Sequence, residues 1–248
     1  MQQNIGAVIL AAGRGKRLGC TDIPKVMVDL GGKPIVEYVI EKLESLGFAK
    51  DHISLVVGFQ KEKVKEYFDG RVVYAHQDEQ LGTAHAAFRG MKELPVEVEQ
   101  VIVIGGDDSA FYTAETLERF VSEHVQAGVT LSLLTAEVED PSLYGRIVRH
   151  ENGGIEIIEK EYVTEEQSHL KEISTGTFCF DRRWYEENFP HMPPLRKLGE
   201  YGLPTALAMA REQGVPHQVV KLEDSSEWFG INTPEELEEG RRLKEITK

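Results

Sequence analysis

The sequence predicts an α/β fold: a doubly wound, Rossmann-like, mainly parallel (mixed) sheet with helices on both faces and a small antiparallel lobe. Three observations carry this expectation. The continuous apolar run IGAVILAA and the largely apolar segments HISLVVGF and QVIVIGG read as buried strands. Segments with helical spacing alternate with them through short connections. After about residue 137 the alternation gives way to hairpin-like segments.

Residues 5–12 form the first predicted strand. Residues 34–47 form a helix, with Val36, Val39, Ile40, Leu43 and Leu46 on one face. Pro34 suits its first turn and Gly47 the position just past its end. HISLVVGF is a strand, KEKVKEYF a short helix and residues 71–75 a third strand. Residues 83–94 form a helix capped by Thr83, and residues 100–106 a fourth buried strand. TAETLERFVSEHVQAG is a helix and VTLSLLTAEV a strand. Residues 145–161 read as a hairpin turning at Asn152-Gly153-Gly154, and residues 172–180 as a further strand of the same antiparallel lobe. VPHQVVKL and TPEELEEGRRLKEI close the chain as strand and helix. The expectation is one domain over residues 1–248, with lobes 1–136 and 137–248. Right-handed crossovers put any ligand at the carboxyl ends of the strands.

The 248 residues carry 28 Lys+Arg against 42 Asp+Glu, a net charge of −14. That balance argues against a general nucleic-acid binder, which needs a basic face. Hydrophobic residues make up 41%, enough for a packed core. The two cysteines, Cys20 and Cys179, form neither a disulfide framework nor a zinc pattern. The first residues lack a basic region ahead of their apolar run, and no segment approaches 18 apolar residues, so a cytoplasmic protein without membrane contact is expected.

Against this acidic background, the loop after the first strand gathers Arg14, Lys16, Arg17 and Lys25 among Gly13, Gly15 and Gly19. Glycines let the backbone approach a ligand and point N–H groups at an anion. Arginine and lysine add charge-assisted bonds to phosphate oxygens. Two familiar loops fail to match. A P-loop needs glycine where Leu10 stands and Ser/Thr where Arg17 stands; G-x-G-x-x-G starting at Gly13 needs glycine where Leu18 stands.

LAAGRGKRL followed by IPKVMVDLGGKPIVEYV resembles the N-terminal signature of the sugar-nucleotidyltransferase superfamily. The likeness implies that the backbone of Leu10, Ala11, Ala12 and Gly13, with Arg14 and Gly15, meets a nucleoside triphosphate, and that Arg17 and Lys25 handle its phosphates. Lys16 departs from the small hydroxyl residue common in relatives. QDEQLGTAHA resembles the uracil-reading segment of bacterial N-acetylglucosamine-1-phosphate uridylyltransferases, which implies base contacts from Gln77, Gly82 and Thr83. A glutamine amide can present either face to uracil or cytosine, so fixed backbone groups must set the choice. His85 is read as a structural residue of the helix.

VIVIGGDDSAFY ends a strand at the expected crevice with Gly106, Asp107 and Asp108. In WFGINTPEELEEG, Thr233 and Glu236 form a capping box behind Asn232, with Pro234 first in the helix. The resemblance assigns Asp107 and Asn232 to Mg²⁺, a cation that takes oxygen ligands and shares them with phosphates. Asp108 departs from relatives; it is an acid behind the ligand, an alternative ligand or a turn residue. YGRIVR and IIEKE resemble the sugar side, implying roles for Gly145 and Glu159. Ser174 stands where relatives usually carry Asn, and Pro204-Thr205 where they often carry Thr-Asp.

The implied function is Mg²⁺-dependent transfer from UTP to a sugar 1-phosphate, with Arg17, Lys25 and Asp107 catalytic. N-acetylglucosamine 1-phosphate or a related hexose phosphate is the expected acceptor. The alternatives are a thymidylyl- or cytidylyltransferase, or a non-catalytic sensor of nucleotide sugars. The tail has no hexapeptide-type repeats, so no fused β-helix acetyltransferase is expected.

Overall fold

The computed structural model describes residues 4–150, 154–195 and 199–246. Its strands are β1 (Ile5–Ala11), β2 (Ile53–Val57), β3 (Val73–His76), β4 (Gln100–Gly105), β5 (Leu131–Glu137), β6 (Arg146–Arg149), β7 (Ile155–Ile158), β8 (Glu172–Asp181) and β9 (His217–Lys221). The helices are α1 (Glu37–Ser45), α2 (Lys61–Phe68), α3 (Thr83–Lys92), α4 (Ala114–Ala127), α5 (Arg182–Asn188), α6 (Leu203–Gln213) and α7 (Pro234–Ile246).

The sheet runs β3-β2-β1-β4-β8-β5-β9, with β6 paired to β7 and to β8. The β1–β2, β1–β4, β2–β3 and β5–β9 pairs are parallel, while β8 runs antiparallel to both β4 and β5. Apolar alternation sorts the two faces. Ile5, Ala7 and Ile9 pack with α1, α2 and α4 through Val39, Ile40, Phe68 and Phe120. Val8, Val101 and Val103 pack with α3, α5 and α6 through Ala87, Met91, Tyr185 and Leu207. Every residue of β2 is buried, Ser54 included, as expected of a strand covered on both faces.

The chain leaves β1 toward β2 and β3 on one side and reaches β4 on the other. The crevice therefore opens where β1 and β4 end together, with Leu10 beside Gly105.

Three expectations need correction. The strand at 172–180 is not part of a side lobe: β8 sits inside the main sheet, and only the β6–β7 hairpin projects, tied to it by the Arg146–Ile173 pairing. The Asn152-Gly153 turn lies outside the described residues. Pro34 does not open a helix; it bridges to Asp29 across the Gly31-Gly32 turn, and α1 begins at Glu37. Thr83 is the first residue of α3 and not its cap, because its hydroxyl accepts from Leu203 N at 3.0 Å instead. By contrast Gly47 takes the predicted left-handed conformation just past α1, with φ 83°. The Thr233–Glu236 capping box forms as predicted, Glu236 N donating to Thr233 Oγ1 at 3.2 Å and Thr233 N to Glu236 Oε2 at 2.9 Å.

Candidate active site

The loop after β1 turns tightly through residues 16–18. Gly15 has φ 69°, and a Cβ there would meet the Lys25 Cβ at 2.7 Å. Only glycine lets the loop lie against Lys25 in this way. Lys25 is 8% exposed, and its ammonium donates to the Asp107 carboxylate and to Asn232 Oδ1 at 2.9 Å. Arg17 Nη2 donates to the same Asn232 oxygen at 2.9 Å. Four predicted residues thus meet from the β1 loop, the end of β4 and the start of α7. Arg14 does not join them; its guanidinium lies over the Phe59 ring, 5.5 Å from the centroid.

Backbone contacts hold the meeting point in place. Gly106 N donates to Leu10 O at 3.0 Å, and Ile231 N to Asp107 O at 3.1 Å. Asn232 N is caught by Glu236 Oε2 at 2.6 Å. The capping residue of α7 therefore also fixes the backbone that carries the Asn232 side chain.

Two cavities adjoin at this point and share Leu10, Thr83, Asp107, Glu159 and Pro204. The first, about 410 Å³, is lined by Ala12, Gly13, Gln77 and Gly82 together with Tyr201. Gly82 has φ 100°, and a Cβ there would lie 2.4 Å from Tyr201 O. The 199–203 segment docks on the start of α3 through Ala84 N to Tyr201 O at 2.8 Å and Tyr201 N to Leu81 O at 2.7 Å. Gln77 is 5% exposed.

The second cavity, about 350 Å³, brings Gly145, Glu159 and Ser174 together with Arg17, Asp107 and Asn232. The pairing of β5 with β8 shifts register between Leu133 and Thr135, and this irregularity turns the Ser174–Gly176 stretch toward the cavity. Arg146, buried under the hairpin, donates to Pro141 O and Tyr144 O and so fixes the loop carrying Gly145. Of the predicted residues, Ala11, Arg14, Gly15, Lys25 and Gly106 line neither cavity; Lys25 reaches the second one only through its contacts with Asp107 and Asn232.

Asp108 faces the second cavity, and its Oδ1 is enclosed without a hydrogen-bond partner. Burial, reinforced by the adjacent Asp107 carboxylate, holds its acid well above the usual carboxylate range. It sits on the turn that follows β4.

Asp107 and Asn232 satisfy a simple test for a hard divalent ion. Their side-chain oxygens both contact one ammonium nitrogen, so they converge on one point, and both are oxygen donors. Among the described residues no three His, Cys, Asp or Glu side chains gather into a metal-binding group. A two-ligand site suits an ion that completes its shell with water and phosphate oxygens.

Several lining residues escaped the sequence reading. Trp228 donates to Thr175 O at 3.1 Å and packs edge-on against Tyr144, ring centroids 4.9 Å apart. Gln80 donates to Ala12 O at 2.9 Å and braces the β1 loop from the far side of the cavity. Leu195 and Tyr201 arrive from a segment with no local signal of its own. Trp228 and Gln80 stand within the WFGINTPEELEEG and QDEQLGTAHA segments, but only contacts with distant segments give them these roles.

The crevice thus lies at the end of a doubly wound sheet, with Lys25 and Arg17 beside an oxygen-donor pair. The chain belongs to the family of the MobA-like NTP transferase domain, whose model matches residues 7–168. It is 37% identical over 238 residues to the bifunctional protein GlmU of Heliobacterium modesticaldum, covering 96% of this chain and 51% of that protein. It is 39% identical over 227 residues to GlmU of Bacillus cytotoxicus, covering 91% and 49%. The chain therefore spans about half the length of the curated relatives it matches. Among solved structures, a candidate glucose-1-phosphate thymidylyltransferase from Bacillus anthracis superposes with TM-score 0.77 at 19% identity, covering 96% of this chain and 94% of that one. HddC from Yersinia pseudotuberculosis, complexed with GMP-PN, does so with TM-score 0.72 at 22% identity, covering 96% and 99%. These likenesses place the chain in the sugar-nucleotidyltransferase superfamily. Among the described residues no helix is long and apolar enough to cross a membrane.

Proposed function

We propose that the protein transfers a uridylyl group from UTP to a sugar 1-phosphate, N-acetylglucosamine 1-phosphate or a related hexose phosphate, releasing pyrophosphate. The observation that carries this reading is the Lys25 ammonium, bound both to Asp107, which the two cavities share, and to Asn232, which lines the second. The cavity holding Gln77, Gly82 and Thr83 takes the base; the one holding Gly145, Glu159 and Ser174 takes the sugar. Residues 1–136 then serve as the nucleotide half of one domain and 137–248 as the sugar half, and the reaction belongs in the cytoplasm.

A sugar-phosphate oxygen attacks the α-phosphorus in line, and the bond from that phosphorus to the pyrophosphate oxygen breaks. No protein nucleophile is required, since the attacking phosphate is already ionised near neutral pH. Catalysis is positioning and charge stabilisation. Arg17 and Lys25 exchange their contacts with Asn232 and Asp107 for oxygens of the α-phosphate and the departing pyrophosphate. The Leu10–Gly13 backbone and Thr83 orient the nucleoside. Mg²⁺ held by Asp107 and Asn232 would supply charge neutralisation between the two substrates' phosphates.

The likeness to a thymidylyltransferase fold favours one second reading, dTTP in place of UTP, because the two bases differ by a methyl that only cavity shape can sense. Purified protein incubated with each nucleoside triphosphate, Mg²⁺ and a panel of sugar 1-phosphates tests both. Pyrophosphate release with UTP and a hexosamine or hexose 1-phosphate is the expected result. Release with no triphosphate would overturn the reading.

A further inference from the structure

Gln77 follows β3 and folds its amide under the turn that starts α3. An amide carries two N–H donors and one acceptor oxygen. Both donors of Gln77 point inward: Nε2 donates to Gly82 O at 2.9 Å and lies 3.1 Å from His85 Nδ1. Gly82 O is fixed backbone, held by the docking of Tyr201 described above. His85 is held too. It is half-buried one turn into α3, with its ring 6.1 Å from the Phe189 ring. Burial, and after it the positive Arg89 on the same helix, lower the His85 pKa, partly offset by Glu79. The neutral ring with its proton on Nε2 offers Nδ1 a lone pair, which accepts the second amide N–H.

Flipping the amide would set Oε1 against the Gly82 carbonyl and against that lone pair, two acceptors facing an acceptor. The amide therefore has one orientation. Its Oε1 is left toward the cavity that Gln77 lines, and among the described residues no donor meets it. A pyrimidine with an N–H at position 3 satisfies Oε1. A cytosine turns a lone pair toward it and leaves two buried acceptors unpaired, which a closed site penalises heavily.

We propose that His85, by accepting the second amide N–H of Gln77, is the positioning residue that commits the base cavity to uracil or thymine and against cytosine. This rests on the uridylyltransferase reading and names the group that sets its base choice. His85 does not touch the base; it acts by removing the alternative face of Gln77.

The test compares kcat/KM for UTP and for CTP in the wild type, in His85→Leu and in His85→Asn. Asparagine can place an oxygen near the position of Nδ1. His85→Leu is expected to lower the UTP-over-CTP ratio roughly tenfold or more, mainly through a higher KM for UTP. His85→Asn is expected to recover most of the ratio. A purely structural role would depress both nucleotides alike. An unchanged ratio in His85→Leu, or equal losses with UTP and CTP, would overturn the inference while leaving uridylyl transfer intact. A wild type that uses neither nucleotide would instead sink the reaction itself.

Discussion

Lys25 holds two acceptors with one nitrogen, and both acceptors are the oxygens proposed to bind a divalent ion. In this arrangement a lysine stabilises the empty cluster and frees its charge for phosphate when substrates enter. Removing either charge should be costly, because pre-arranged electrostatic groups typically supply factors of about 10² to 10³ in turnover. Lys25→Ala and Asp107→Ala should each lower kcat by at least ~10²-fold while leaving the fold intact by circular dichroism. Near-normal turnover in either purified variant would remove it from the mechanism. Single residues were legible where a motif named them: Arg17, Lys25, Asp107 and Asn232 all meet. Side-chain aim was not legible. Arg14 sits in the same loop yet lies over Phe59. His85 carried no local sign of its contact with Gln77, because that contact depends on how β3 and α3 cross.

Elements were legible to the extent that their own periodicity decides them. The parallel strands β1, β2 and β4 and helices α2, α3 and α4 follow from apolar runs and 3.6-residue spacing. The placement of β8 was not, since strand order depends on which edge is open and not on the strand's own residues. Among these elements α4 carries the clearest pH consequence. His124 is buried, with Nδ1 2.7 Å from Ser132 Oγ in β5 and Nε2 2.9 Å from Gln100 Oε1 in β4. Burial pushes its pKa down to about 4, with Asp181 opposing the shift slightly. The unfolded chain, with an ordinary histidine near 6.5, binds the proton first. The stability held by neutral His124 is thus complete above about pH 6.5, declines as pH falls toward 4, and changes no further below. The loss should reach about 3 kcal/mol across that window. Denaturant melts at pH 7 and pH 4.5 should show His124→Gln losing less stability than the wild type. Equal losses would show that His124 is not the titrating group.

At the scale of the molecule, an acidic chain with a net charge of −14 presents its clustered cations at one crevice. That contrast was readable in the sequence, and so was the doubly wound class. The closing of the site by residues more than 200 positions apart was readable only through family likeness: Arg17 meets Asn232 at a separation of 215 residues. No local propensity encodes such a contact. It needs the complete sheet, and then α7 laid back beside the first loop.

The reversed strand at the centre of the sheet also governs the order of biosynthesis. β4 is made early, yet its partner β8 emerges only with residues 172–181, and β9 later still. Until then a nascent chain bears an unpaired strand edge that is apolar from Val101 to Ile104, the kind of template on which other chains add. A fragment ending at residue 150 should therefore sediment as aggregates, whereas the full chain stays dispersed. A monodisperse fragment would mean that some other segment shields that edge while the ribosome is still at work.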